Sequence, residues 1–140
     1  MHERTGELGL AVSQVLNLDF MSTHPDNYRQ LKNNPSIISQ MIEIEGRWKN
    51  VPVSYLPKSC LNVSPEELDI RNGDIIAITT NIKGLDVVHT GFACWMDGKL
   101  HLLHASSVMK KVILDPQSLF DYSKNKKAHT GVRVISFSSL

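Results

Sequence analysis

The stretch Asp86-Val87-Val88-His89-Thr90-Gly91-Phe92-Ala93-Cys94-Trp95-Met96-Asp97-Gly98-Lys99-Leu100-His101-Leu102-Leu103-His104-Ala105-Ser106-Ser107 decides the fold. Asp97-Gly98 separates two apolar runs, and a two-residue type I′ turn needs φ > 0 at both central positions, which Asp-Gly supplies. With that turn Met96 pairs with Lys99, and the register runs back through Trp95 opposite Leu100, Cys94 opposite His101, Gly91 opposite His104 and His89 opposite Ser106. Side chains alternate faces along a strand. His89, Gly91, Ala93 and Trp95 therefore share a face with Leu100, Leu102, His104 and Ser106, while Cys94 and His101 lie on the other. His89 and His104 become diagonal neighbours, at a separation that imidazoles can bridge. Gly91, opposite His104, is expected to leave room for one ring to lean toward the other.

Working outward, the chain is α+β, a set of mostly antiparallel strands with separate helices. Asp74–Thr80 reads as a strand, with turns at Asn72-Gly73 and Lys83-Gly84. Val51–Leu56 is a strand at a sheet edge, because Pro52 cannot donate to a ladder. Lys110–Leu114 and Gly131–Phe137 complete the sheet. Ser36–Glu45 carries Ile37, Ile38, Met41 and Ile42 at helical spacing, and Gly46 ends it. Cap-and-proline signals predict helix starts at Ser64-Pro65 and at Asp115-Pro116, the latter running over 117–126. Residues 26–32 read as a short helix, Pro57–Leu61 as a helical turn and 20–25 as a loop. Residues 1–19 form a poorly defined segment in which 10–16 fits helix or strand equally.

The 140 residues make one domain, with fifteen basic and fourteen acidic side chains. That balance gives no electrostatic case for nucleic acid or an anionic membrane. No apolar run spans a bilayer and no secretory signal stands at Met1, so the chain as written reads as cytoplasmic or as having lost its export signal. Cys60 and Cys94 form neither a disulfide framework nor a metal-binding spacing.

Two histidines on one strand face admit three readings. His89 is a general base oriented by His104, or the pair are metal ligands, or both are packed structural side chains. A base needs a partner that fixes its tautomer, and a Cys or Ser nucleophile needs such a base. A zinc site wants three or four ligands, and the motif offers no third. Cys94 points away from His89 and reads as a small apolar residue. Cys60, after Pro57-Lys58-Ser59, is the one conceivable internal nucleophile, and a structural thiol is the competing reading.

Gly73-Asp74-Ile75-Ile76-Ala77, Asp86-Val87-Val88-His89-Thr90-Gly91 and Leu102-Leu103-His104-Ala105-Ser106-Ser107 resemble the N-acetylmuramoyl-L-alanine amidase-like family of NlpC-type cell-wall hydrolases. So do Phe20-Met21-Ser22-Thr23-His24-Pro25 and Asn33-Asn34-Pro35. The resemblance runs from about Phe20 to Phe137. It implies a papain-like fold, an antiparallel sheet with flanking helices, and a Cys-His-polar triad in which His89 is the base and His104 the orienter. It implies muropeptides as substrates, cleaved at the amide that joins peptide to muramic acid, with no metal and no cofactor, and relatives that are periplasmic or exported. Ser22, Thr23, His24 and Ser106 become candidate walls of the substrate groove, and side-chain-to-backbone pinning is the alternative for 22–24. The family's nucleophile stands in an Asp-Cys-Thr-Thr-Phe-like segment at a helix start, which this chain lacks. The resemblance thus implies a partial domain, the C-terminal sheet-bearing part without the nucleophile helix, inactive alone. The second hypothesis is a non-catalytic muropeptide-binding or protein-interaction module, with self-association through an uncovered sheet face.

Overall fold

The computed structural model describes residues 1–137. In chain order it comprises β1 (His2–Glu3), β2 (Val12–Leu16), α1 (Phe20–Thr23), α2 (Pro35–Gly46), β3 (Val51–Pro57), β4 (Ile75–Thr80), β5 (Val87–Met96), β6 (Lys99–Ser106), β7 (Lys111–Ser118), α3 (Leu119–Ser123) and β8 (His129–Ser136). Short 3-10 turns cover Thr5–Glu7, Pro25–Asn27 and Lys58–Leu61. The fold is α+β, one antiparallel sheet with few helices. Among the described residues the strands run β2-β3-β8-β4-β5-β6-β7, with β1 beside the far end of β8.

The Asp97-Gly98 turn holds as read, both residues having positive φ. β5 and β6 pair in the expected register from Met96↔Lys99 through Phe92↔Leu103. One sheet face carries Ile76, Ile78, Ala93, Leu100, Leu102, Val132 and Val134. Leu61, Leu68, Ile70 and Leu119 cover that face, all buried. At about 25 cal/mol per Å² of apolar area, this layer is the main source of stability. Two glycines permit its close approaches. A Cβ on Gly131 would sit 1.9 Å from the Leu56 carbonyl oxygen, where β3 crosses onto β8. A Cβ on Gly91 would stand 2.7 Å from the Leu102 side chain and 2.8 Å from the Leu103 carbonyl. Gly91 thus accommodates the packing of Leu102.

Several local expectations are corrected. Residues 2–16 are tied into the sheet. Arg4 is buried and paired with Asp69 and Asp74, and the Val134 amide donates to the Thr5 hydroxyl at 2.9 Å. Val12–Leu16 is a strand, paired with Val51–Tyr55. Residues 20–23 form a helical turn instead of a loop, because the Glu45 carboxylate accepts from the Met21 and Ser22 amides at 2.8 and 3.2 Å. The helix expected over 26–32 shrinks to a 3-10 turn at Pro25–Asn27 followed by turns. Ser64-Pro65 starts no helix: Glu67 closes back on the Ser64 amide at 2.8 Å, and the chain turns away. The helix expected over 117–126 is five residues long and begins at Leu119, with Ser118 as its cap. Asp115-Pro116 lies inside strand β7.

Candidate functional site

Two strand irregularities build the site. Between β4 and β5 the register passes from Ile78↔His89 to Thr79↔Val87, which leaves Val88 as an extra residue. Such a bulge re-aims the neighbouring side chain. Between β6 and β7 it passes from Leu103↔Leu114 to His101↔Ser118, so Asp115-Pro116-Gln117 forms an excursion. Pro116 fits there because a bulge on an edge strand requires no ladder donor. Ile113 pairs with His104, and Asp115, two residues further, shares that face.

The result is a three-member relay. His89 Nε2 lies 2.7 Å from His104 Nδ1, and His104 Nε2 lies 2.9 Å from Asp115 Oδ2. The two imidazoles meet edge to face, with centroids 4.9 Å apart. The Asp115 carboxylate is itself fixed, since Oδ1 accepts from the Gln117 amide at 2.9 Å and the backbone carbonyl bonds His101 Nδ1 at 2.8 Å. His104 and Asp115 are buried. Proton positions follow from chemistry. A carboxylate only accepts, so His104 carries its proton on Nε2. Its Nδ1 is then an acceptor, and His89 donates to it from Nε2. Neutral His89 is left with a bare Nδ1, which is the lone pair a general base needs.

Burial pushes the His89 pKa down, helped by the neighbouring His104 and by the positive charge of Lys126. His89 is therefore neutral and competent as a base below its ordinary range. Tyr122, on α3, lies against His104, His89 and His129 at centroid separations of 5.6, 6.5 and 5.9 Å. His129, which pairs with Thr80 at the same end of the sheet, bonds the Ser123 hydroxyl at 3.0 Å. Burial, then Lys126, Lys58 and His89, lower its pKa to about 4. A cleft of about 400 Å³ opens beside the relay, lined by His104, Asp115, Ser106, Gln117, Tyr122 and Lys126 among others.

The pair inferred from the hairpin, His89 and His104, is brought together. Ser106 lines the cleft, and its hydroxyl also accepts from the Met109 amide at 3.1 Å, fixing the β6–β7 turn. Ser22, Thr23 and His24 direct their hydrogen bonds into their own segment. Both hydroxyls bond the Asp19 carbonyl, and His24 Nδ1 bonds the Phe20 carbonyl at 2.9 Å. This turn docks on the β4–β5 connection, where the Asp19 and Phe20 amides donate to the Gly84 carbonyl. Asp115 and Tyr122 were missed by sequence reasoning. Continuing the β6 register across a four-residue turn at 107–110 would have placed Asp115 beside His104. Cys94 faces His101 across the hairpin, Cys60 lies in the 3-10 turn against the core, and both thiols are free. Neither is hydrogen-bonded to His89. Among the described residues no three His, Cys, Asp or Glu side chains are grouped to hold a metal ion, and His104 uses both ring nitrogens in the relay.

The site is thus a hydrogen-bonded relay of two histidines and a carboxylate on one antiparallel α+β sheet. The chain belongs to the N-acetylmuramoyl-L-alanine amidase-like (AmiA-like) family, whose sequence profile matches residues 4–132. Solved structures agree. An N-acetylmuramoyl-L-alanine amidase from Bacteroides uniformis is 42% identical with a TM-score of 0.80, over 89% of this chain and 52% of that one. A protein described as a "putative xylanase" from Bacteroides fragilis is 47% identical with a TM-score of 0.77, over 88% of this chain and 53% of that one. A Legionella pneumophila protein at 24% identity and a TM-score of 0.51, over 91% of this chain and 52% of that one, shares the fold. The chain thus spans about half the length of the solved relatives it matches. No curated protein matches it.

Proposed function

We propose that this chain carries the base-and-orienter portion of a cysteine amidase that cleaves the N-acetylmuramoyl-L-alanine bond of peptidoglycan fragments. The supporting observation is the relay from His89 through His104 to Asp115, at 2.7 and 2.9 Å. His89 Nδ1 takes the proton from an attacking thiol. The thiolate adds to the amide carbonyl, and His89 returns the proton to the departing amine. His104 and Asp115 keep Nδ1 unprotonated and stabilise the imidazolium that forms. On this reading the architecture is papain-like and NlpC-type, and the thiol comes from a segment outside these residues, since neither Cys60 nor Cys94 bonds His89. Alone, the chain binds muropeptide without turning it over. Release of peptide from an N-acetylmuramoyl-L-alanyl peptide tests this. No turnover with measurable binding is expected. Turnover that survives replacement of both Cys60 and Cys94 overturns the cysteine mechanism.

A second reading rests on the outer face of the sheet. Phe92, Leu103, Val112, Leu114 and Phe137 are exposed there, with Phe92 paired to Leu103 and Leu103 to Leu114. The Phe92 and Phe137 rings stack 6.3 Å apart. A continuous apolar stripe of this kind favours association. On this reading the chain self-associates through that face, whether or not it catalyses.

A further inference from the structure

Among the described residues the His89 side chain makes one hydrogen bond, from Nε2 to His104. One bond holds one atom. It leaves the ring free to tilt about that atom, and the tilt decides where the bare Nδ1 points. Packing must therefore fix the plane. The rings against His89 are His104, edge to face, and Tyr122, inclined by 32° with centroids 6.5 Å apart. That separation lies within the range of a packed aromatic pair.

Tyr122 is itself held on several sides. Lys126 Nζ stands over one face, 3.4 Å from the ring centre. His104 meets the ring at 74° with centroids 5.6 Å apart, and His129, tied to the Ser123 hydroxyl, lies at 5.9 Å. The Ser118 hydroxyl caps α3 by accepting from the Asp121 amide at 3.1 Å, and α3 packs on β6 and β7. Ser118 is also where β7 rejoins β6, opposite His101, after the excursion at 115–117. One short segment thus makes two contacts with His104. Asp115 holds Nε2, and seven residues further on Tyr122 lies against the ring. Burial, the main cause of the lowered His89 pKa, agrees with a ring enclosed on this side.

We propose that Tyr122 is a positioning residue for the base: its ring fixes the plane of the His89 imidazole, and with it the direction of the Nδ1 lone pair, while His104 and Asp115 fix the proton. The assignment rests on the reading of His89 as the base for amide cleavage. Direction matters there, because a base that is within reach but misaligned loses the near-attack geometry on which its contribution depends. The contacts are made by the ring, so phenylalanine serves at this position and an aliphatic side chain does not.

NMR ¹³C relaxation of the His89 ring C–H groups, recorded well below the melting temperature, tests the assignment. In the wild-type chain the ring should be as rigid as ordered backbone, with an order parameter of about 0.85, and Tyr122→Leu should lower it below about 0.6. Tyr122→Phe should keep the wild-type value. In all three chains the His89 proton should remain on Nε2. A merely structural Tyr122 would lower the melting temperature of Tyr122→Leu and leave the ring order of the folded molecules unchanged, and that result overturns the proposal. A wild-type His89 ring that is already mobile overturns it too, and needs no variant. Binding of an N-acetylmuramoyl-L-alanyl peptide to the wild-type chain is measured alongside. Failure to bind, with His89 ordered by Tyr122, overturns the amidase reading and keeps the positioning of His89. A mobile His89 ring in a chain that binds overturns the positioning and keeps the amidase reading.

Discussion

Replacing Asp115 by alanine removes the far end of the relay, and its consequence can be worked from the contacts. The carboxylate accepts from His104 Nε2 at 2.9 Å and from the Gln117 amide at 2.9 Å. His104 is only 5% exposed, so water cannot replace the lost acceptor. An orphaned buried donor costs about 1–3 kcal/mol. Gln117 is exposed, and its amide regains a water, so that bond adds about 0.5–1 kcal/mol. The total is about 1.5–4 kcal/mol. At roughly 3 °C per kcal/mol for a domain of this size, the melting temperature falls by roughly 4–12 °C. Asp115→Asn keeps the shape and one hydrogen bond, and should cost about half as much. Urea denaturation of both variants, combined with His104→Ala in a double-mutant cycle, isolates the pair. A coupling energy of about 1–2 kcal/mol is expected. Loss of less than about 0.5 kcal/mol in Asp115→Ala, the range of an ordinary surface change, would refute the relay as a fixed structural unit.

Other outcomes follow from the same contacts. Gly91→Ala should destabilise the chain by about 1–3 kcal/mol in urea titrations, since its methyl group meets Leu102 and the Leu103 carbonyl below 3.0 Å. Stability should rise with pH between about 4 and 6.5. His129 has a folded-state pKa depressed to about 4, so the unfolded chain binds the extra proton in that window, and stabilisation is lost as pH falls. Denaturation midpoints at pH 7 and pH 5 check this, and His129→Gln should flatten the dependence. Leu103→Lys on the outer face should reduce association seen by light scattering if that face joins copies, with no effect on the relay.

The sequence was most legible where chemistry and geometry are local. A two-residue Asp-Gly turn sets a hairpin register, and that register alone brought His89 and His104 together. Asp115 was hidden because Asp-Pro signals a helix start and an edge-strand excursion equally well, and only the partner strand decides between them. Ser64-Pro65-Glu66-Glu67 misled for a related reason: its capping contacts form, but the residues after them are drawn into the core as Leu68 and Ile70. The first sixteen residues lack a periodic signature because the β1 and β2 strands are short, and their anchoring depends on long-range partners such as Arg4 with Asp74. The 22–24 segment could be placed next to a family motif but not oriented. Its fate was set by Glu45, a distant residue on α2 whose burial no local pattern foretold.

The central claim is that His89 presents a bare Nδ1 because His104 and Asp115 hold the proton on the other nitrogen. Long-range ¹H–¹⁵N correlation of the imidazoles at neutral pH reads this directly. His89 and His104 should both be neutral with the proton on Nε2, and Asp115→Ala should release His104 from that tautomer. A wild-type His89 protonated on Nδ1, or charged at neutral pH, would contradict the account.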